Sequence, residues 1–130
     1  MPQPIAEFEY AGIRILGFSQ AGEESFIVAP ELNLAFDVGR APRETLSVDN
    51  ILLTHGHMDH AAGVAYYCSQ RMFIDAPPGT IYAPEPLIEP INRLLALWGE
   101  IDGHIPPAKV VAARPGEDIQ LRRDLIARPF

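Results

Sequence analysis

One short stretch, residues 52–63, constrains the fold and the chemistry of this chain more than any other. It reads LLTHGHMDHAAG and holds three of the four histidines in the sequence. The unbroken apolar run just before these histidines predicts a short strand that is buried on both faces. The residues after them change to a helical period. The polar cluster is therefore expected at the carboxyl end of a central strand, where ligands bind in open α/β sheets.

Four side chains in this stretch are candidate metal ligands. His55 and His57 are two residues apart, so both imidazoles point the same way in an extended segment. Asp59 and His60 then open the predicted helix. Imidazole with carboxylate suits zinc, with manganese or iron as alternatives. A single histidine is more often a solvated or hydrogen-bonded residue, and we expect His104 to be such a loop residue.

The composition predicts one soluble globular domain. The chain has 130 residues, of which 48% are hydrophobic and 21% charged. It contains no apolar run near the ~18 residues that a membrane span needs and no recognisable secretory signal. The single cysteine, Cys68, predicts a reducing, cytoplasmic compartment and a buried, inert thiol. A formal charge of −7 argues against broad electrostatic capture of nucleic acid by this chain alone, although not against a local phosphate site.

Hydrophobic periodicity predicts an α/β architecture. Alternation around Gly12 indicates a hairpin over residues 5–18, and a second pair of strands follows over residues 25–39. Helices are expected over residues 59–71 and 85–101, with a strand between them at 79–84. In the second helix, the spacing of apolar residues predicts the helical face: Leu87, Ile91, Leu94, Leu95 and Trp98. Further strands are expected after residue 107, with a turn at RPGED.

Two motifs in this chain resemble those of a known family. THGHMDHAAG resembles the H-x-H-x-D-H signature of the metallo-β-lactamase superfamily, and LAFDVG resembles its strand-end aspartate motif. Within the superfamily, SFIVAPELNLAFDVG, ILLTHGHMDHAAG and TIYAPEPLIEPINRLL are most similar to ribonuclease Z, which cuts the 3′ trailer from precursor tRNA. The resemblance implies half of an αββα sandwich, a mixed sheet of short strands with helices on one face.

The resemblance also implies a role for each candidate residue. His55 and His57 would bind one of two zinc ions, while Asp59 and His60 would bind the other. A hydroxide held by both metals would attack the phosphorus of a phosphodiester, and Asp59 would also orient that nucleophile. Asp37 would lie beside the metals and orient a metal-bound histidine. The alternative for Asp37 is an aspartate that caps a turn before a glycine.

The match covers only the first half of the family's fold. Family members have a second, similar half that supplies another histidine, a bridging aspartate and a final histidine. Here the only histidine after His60 is His104, and the residues around it do not resemble those around a family ligand. The segment DLIARPF resembles the one that precedes the family's next metal-binding histidine. We therefore expect one domain over residues 1–130 that lacks the second half. The chain is a fragment, pairs with a second chain, or associates with its own copy through an apolar face.

Two classes of function remain open. The first is a metal-dependent hydrolase, a ribonuclease Z-like phosphodiesterase that acts on precursor tRNA through the complete protein, the isolated chain being inactive. The second is a catalytically incomplete half-fold that binds metal or mediates assembly, because four donors shared by two metals give fewer than the three ligands typical of catalytic zinc. A small-molecule ester or thioester hydrolase is a further alternative. Arg40 and Arg43 are candidates for phosphate contact, although solvated arginines are more common.

Overall fold

The computed structural model describes residues 4–130. The strands in this range are β1 (Ala6–Tyr10), β2 (Ile13–Gln20), β3 (Glu24–Ala29), β4 (Leu34–Phe36), β5 (Asn50–Leu52), β6 (Gly79–Pro84), β7 (Ala108–Ala113), β8 (Ile119–Arg122) and β9 (Leu125–Ala127). The helices are α1 (Arg43–Leu46), α2 (Met58–Ala61), α3 (Val64–Phe73) and α4 (Ile88–Asp102). Both predicted strand pairs are therefore confirmed. No helix within the described residues is long and apolar enough to cross a membrane.

Strands β1 to β7 form one mixed sheet in the order in which they occur along the chain. Neighbouring strands from β1 to β4 are antiparallel, and those from β4 to β7 are parallel. The parallel strands are joined by crossovers that contain α1, α2 with α3, and α4. Because the strand order advances in one direction and such crossovers are right-handed, these helices share one face of the sheet. Strands β8 and β9 form a separate hairpin.

The hydrophobic core lies between the sheet and these helices. From the sheet, Val28, Ile51 and Ile81 are fully buried, and from α3, Val64 and Tyr67 pack against them. Complete burial of an aliphatic side chain of this size stabilises the fold by about 1.5–3 kcal/mol. The core therefore fixes β5, whose carboxyl end carries the histidine cluster.

A buried arginine holds the amino end of β5. Arg71 of α3 is 1% exposed, and its guanidinium donates hydrogen bonds to the carbonyls of Leu46 and Val48, each at 2.8 Å, and of Pro77 at 2.9 Å. It also forms an ion pair with Asp49. Because a buried cation is costly unless its donors are satisfied, these bonds tie the segment between α1 and β5 to the loop after α3. Arg71 thus has a structural role.

The second face of the sheet is open within the described residues. A row of apolar side chains crosses five strands on this face, as the strand register shows: Ile27, Phe36, Leu52, Tyr82 and Val111. Three of them, Ile27, Phe36 and Val111, are exposed, and the other two are half-buried. The prediction that β5 is buried on both faces is therefore wrong, because in residues 4–130 only the helices cover the sheet. We call this row the open face.

The helix predicted over residues 59–71 is two helices, α2 and α3, separated by Ala62 and Gly63. Gly63 lies against the loop after β4, where a Cβ atom would come within 2.4 Å of the Ala41 backbone nitrogen. The Gly63 N–H donates to the Gly39 carbonyl at 2.8 Å, and Gly39 in turn donates to the His60 carbonyl at 3.1 Å. The helix breaks because this loop docks between its two parts, which periodicity alone does not reveal.

The helix predicted over residues 85–101 is confirmed, but α4 itself begins only at Ile88, after a 3-10 turn over Glu85–Leu87. Fewer of its apolar residues are buried against the core than the apolar spacing predicted. Ile91 and Leu95 are buried, whereas Leu94 and Trp98 are exposed. The helix therefore carries two apolar stripes, of which only one faces the sheet.

Candidate metal centre

The candidate centre lies where β4 and β5 end side by side. These strands are parallel, and Phe36 and Leu52, their last residues, are register partners. The N–H of Asp37 then donates to the Leu52 carbonyl at 2.9 Å. Because parallel strands end at the same edge of a sheet, Asp37 and the residues after Leu53 emerge together. This is the edge that the sequence predicted.

The three histidines of the motif form a compact cluster. His55 Nε2 lies 3.1 Å from His57 Nδ1, and the two ring centroids are 4.6 Å apart. The ring centroids of His55 and His60 are 4.2 Å apart. His60 Nε2 also lies 3.5 Å from Oδ2 of Asp59. The structure thus brings together all four residues that the sequence singled out as ligands.

Asp37 is buried directly beneath this cluster. It is 5% exposed, and its Oδ2 atom lies 2.7 Å from Nδ1 of His60. Thr54 donates to the same carboxylate from its backbone N–H and from its hydroxyl, each at 2.8 Å. Asp37 has a φ of 61°, a left-handed conformation that aspartate tolerates better than most residues. Because the Asp37 carboxylate is hydrogen-bonded to Nδ1 of His60, the other ring nitrogen, Nε2, faces Asp59.

The donor set fits a divalent metal, although the tightest grouping differs from the predicted one. Asp37, His55 and His60 each offer a ligand atom such that these atoms all lie within 4.8 Å of one another. The carboxylate oxygens of Asp37 already accept hydrogen bonds from Thr54 and His60. With these three hydrogen bonds, Asp37 is more engaged by the protein than His55, His57, Asp59 or His60.

The turn between β2 and β3 contacts the cluster, which sequence reasoning missed. The N–H of Gly22 donates to Oδ2 of Asp59 at 3.1 Å. The turn is held by Glu24, whose Oε2 accepts the N–H of Arg40 at 2.7 Å. The Arg40 guanidinium donates to the Glu23 carbonyl at 3.1 Å. The sequence signal for this turn is the glycine at position 22. In the structure Gly22 has a φ of 77°, a conformation that favours glycine.

These contacts influence the ionisation of Asp59. Partial burial disfavours its charged form, but hydrogen bonds from the N–H of Gly22 and from its own N–H outweigh that cost. His60 and His57 act in the same direction, so the pKa of Asp59 lies below its ordinary value. Asp59 is therefore ionised at neutral pH, as a metal ligand must be.

The remaining residues that the sequence singled out lie elsewhere. His104 is exposed in the loop after α4, as predicted. Arg43 begins α1 and is exposed, while Arg40 holds the β2–β3 turn. Cys68 is fully buried on α3, and this burial raises the pKa of its thiol to about 12. The prediction that Cys68 is buried is confirmed.

A cleft joins the centre to the open face. Its volume is about 290 Å³. Asp37, Thr54 and His60 line this cleft together with Ile27 and Phe36 of the open face. Whatever covers the open face therefore also borders the metal centre.

Comparison with known proteins gives the same family as the motifs. A family model described as the metallo-beta-lactamase superfamily matches residues 29–121. Over 94% of its length the chain is 34% identical to a nuclear ribonuclease Z of Triticum aestivum, covering 69% of that protein. It is 30% identical to the chloroplastic tRNase Z TRZ2 of Arabidopsis thaliana and 33% identical to tRNase Z TRZ1 of the same plant, covering 34% and 42% of them.

These matches include β4, β5 and the whole histidine cluster, and the similarity to ribonuclease Z is therefore confirmed. The mixed sheet with helices on one face is half of the fold that the motifs implied. The chain belongs to the metallo-β-lactamase superfamily, a family of metal-dependent hydrolases.

Proposed function

We propose that this chain is the metal-binding part of a ribonuclease Z-like phosphodiesterase that processes the 3′ end of precursor tRNA. One observation carries the proposal. His55, His57, Asp59 and His60 converge at the carboxyl edge of the sheet, above a buried carboxylate that hydrogen-bonds to His60. The relatives with ribonuclease Z and tRNase Z names support the substrate class.

Two divalent metal ions fit this donor set as two pairs. His55 and His57 would hold one ion, and Asp59 and His60 the other, since the nitrogen or oxygen atoms within each pair are 3.1 Å and 3.5 Å apart. Zinc suits these donors best, with manganese or iron as alternatives. Such ions would activate water and neutralise charge on the phosphate.

The residues of the chain orient this chemistry. Asp37 accepts a hydrogen bond from Nδ1–H of His60, so that Nε2 would offer its lone pair to a metal. Asp59 is ionised because its pKa lies below the ordinary value, and it would accept a hydrogen bond from the attacking water. The Gly22 N–H holds the Asp59 carboxylate in place. In this proposal Asp59 is the catalytic residue and Asp37 a positioning residue.

The proposed site needs further ligands. Two donors for each ion are fewer than the three that catalytic zinc sites keep. The chain spans 69%, 34% and 42% of the three relatives, so their remaining length is a source for such ligands. We propose that a second sheet, on the same polypeptide or on another, covers the open face and supplies these ligands through the adjoining cleft.

The assay is cleavage of precursor tRNA with a 3′ trailer in the presence of zinc or manganese. The chain is tested alone and together with the polypeptide that covers its open face. Cleavage is expected only in the complete assembly, and His57→Ala is expected to abolish it. The matched control is His104→Ala, which removes an exposed histidine far from the motif in sequence and leaves cleavage unchanged. A metal-loaded assembly that opens thioesters or lactams but leaves RNA intact would overturn the nuclease assignment.

The second candidate function is a metal-binding or assembly module without catalysis. It rests on the count of two donors per ion in this chain. If the complete assembly binds metal as expected but hydrolyses neither phosphodiesters nor esters, this candidate replaces the first.

A further inference from the structure

We propose that Thr54 is a positioning residue of the metal centre, whose hydroxyl links the buried Asp37 carboxylate to His55 and fixes the tautomer of that histidine. In the proposed function, on which this inference rests, His55 and His57 share one ion. Thr54 directly precedes His55 in the sequence, and the chemistry described so far gives its side chain no part.

The Thr54 hydroxyl lies between two side chains. Its Oγ1 atom is 2.8 Å from Oδ2 of Asp37 and 2.8 Å from Nδ1 of His55. Both distances are within the range of a hydrogen bond. Because a hydroxyl carries a single proton, it donates to one of these two partners and accepts from the other.

The carboxylate decides which partner receives that proton. An ionised carboxylate has no proton to donate, so the Thr54 hydroxyl donates to Asp37. The second contact is then a hydrogen bond only if Nδ1 of His55 carries a proton and donates it to Oγ1. His55 is therefore held as the tautomer that has its lone pair on Nε2.

The lone pair of His55 is the one that the proposed ion needs. Nε2 of His55 lies 3.1 Å from Nδ1 of His57, so these are the two nitrogens through which the pair would hold a metal. A metal binds only an imidazole nitrogen that carries no proton. The Thr54 hydroxyl thus keeps the correct nitrogen of His55 ready for the ion.

The same carboxylate orients one ligand of each proposed ion. Oδ2 of Asp37 accepts directly from Nδ1 of His60, and it reaches His55 through the Thr54 hydroxyl. The other oxygen, Oδ1, accepts the backbone N–H of Thr54 at 2.8 Å, which keeps Thr54 beside the carboxylate. Asp37 and Thr54 therefore form one unit that sets the tautomers of both histidines.

The fold itself does not depend on this hydroxyl. Thr54 is exposed and lines the cleft beside the centre, where water can reach its side chain. The bond from its backbone N–H to Asp37 also remains when the hydroxyl is removed. We therefore expect Thr54→Val to fold normally but to lose the link to His55, and Thr54→Ser to keep both.

The first measurement is nuclear magnetic resonance of the histidine ring nitrogens in the metal-free chain, at a pH where the imidazoles are neutral. In the wild type, Nδ1 of His55 is expected to carry the proton. In Thr54→Val, His55 should show the mixture of tautomers that a solvated histidine has, whereas Thr54→Ser should match the wild type. A purely structural role of Thr54 would leave the tautomer of His55 unchanged.

Calorimetric titration of the same variants with zinc gives a second readout. Thr54→Val is expected to bind zinc roughly tenfold more weakly than the wild type, because it loses a partner that orients a metal-bound histidine. The matched control is Thr45→Val, the same change at a fully buried threonine of α1. The hydroxyl of Thr45 donates to the Pro42 carbonyl at 2.8 Å, so the control should change neither the tautomer nor the zinc affinity.

The proposal is overturned if Thr54→Val leaves the tautomer of His55 unchanged, if Thr54→Ser behaves as Thr54→Val does, or if Thr45→Val weakens zinc binding equally. Cleavage of RNA is decided separately. If the tautomer and the zinc affinity depend on Thr54 but the complete assembly leaves precursor tRNA intact, the nuclease assignment fails and the role of Thr54 stands. If RNA is cleaved while the tautomer is independent of Thr54, the role fails and the nuclease assignment stands.

Discussion

Oδ2 of Asp37 lies 2.7 Å from Nδ1 of His60, although the two residues are 23 positions apart in the sequence. The contact exists because β4 and β5 are parallel neighbours that end at the same edge. It sets the direction in which His60 offers its second nitrogen. The strand pairing thus determines the geometry of the proposed metal ligand.

Replacing Asp37 with asparagine tests this relationship. Asp37→Asn removes the negative charge beside Nδ1 of His60 and is expected to weaken zinc binding by about 10–100-fold. Isothermal titration with zinc measures the effect. Asp75→Asn is the matched control, since Asp75 is exposed and its φ of 59° is a conformation that asparagine also tolerates. Equal zinc affinities for the two variants would remove Asp37 from its proposed role.

Glu24 tests whether the β2–β3 turn positions Asp59. Glu24→Ala removes the acceptor for the N–H of Arg40, so Gly22 should no longer be held against Asp59. The pKa of Asp59 is then expected to rise, as followed by nuclear magnetic resonance of its carboxyl carbon in the metal-free chain. In the control, Glu23→Ala, only a side-chain hydrogen bond with the exposed Gln20 is lost. A pKa that responds equally to both changes contradicts the positioning role.

The lowered pKa of Asp59 also predicts a dependence of stability on acid. A carboxyl whose pKa is lower in the folded than in the unfolded state stabilises the fold above its unfolded pKa, about 3.9. That contribution is lost as pH falls through the folded pKa. Metal-free Asp59→Asn should therefore be less stable than the wild type at neutral pH. Urea unfolding should show this difference shrinking below about pH 4, and a difference that is constant with pH would contradict it.

Cys68 is expected to be unreactive while the chain is folded. Its thiol is fully buried, and its raised pKa, about 12, leaves almost no thiolate at pH 8. Reaction with a disulfide reagent should be slow in buffer and fast in urea, which exposes the thiol. Fast modification of the folded chain would contradict the burial of Cys68.

Local sequence predicted the first two strand pairs and the position of the histidine cluster at a strand end. His55, His57, Asp59 and His60 lie within six residues, so their convergence needs only a strand end followed by a helix start. The role of Asp37 was predicted from the resemblance of LAFDVG to the family's strand-end aspartate motif. Long-range strand pairing then brought the two motifs together.

Other features depend on contacts that a linear pattern does not encode. The break before Gly63 follows from close approach of the loop that contains Ala41. The contact of Gly22 with Asp59 joins residues 37 positions apart through an ordinary turn. In α4, periodicity revealed apolar residues on a helix but did not show which of two stripes faces the sheet. The cytoplasmic location, the identity of the metals and the missing second half stay predictions.

The measurement that tests the central claim most directly is native mass spectrometry of the chain titrated with zinc. The wild type is expected to bind zinc, and His57→Ala and Asp59→Ala to bind it much more weakly, while His104→Ala matches the wild type. This result would assign zinc binding to the histidine cluster at the edge of the sheet. If His57→Ala, Asp59→Ala and His104→Ala all bind zinc as the wild type does, the cluster is not the metal site and the account is wrong.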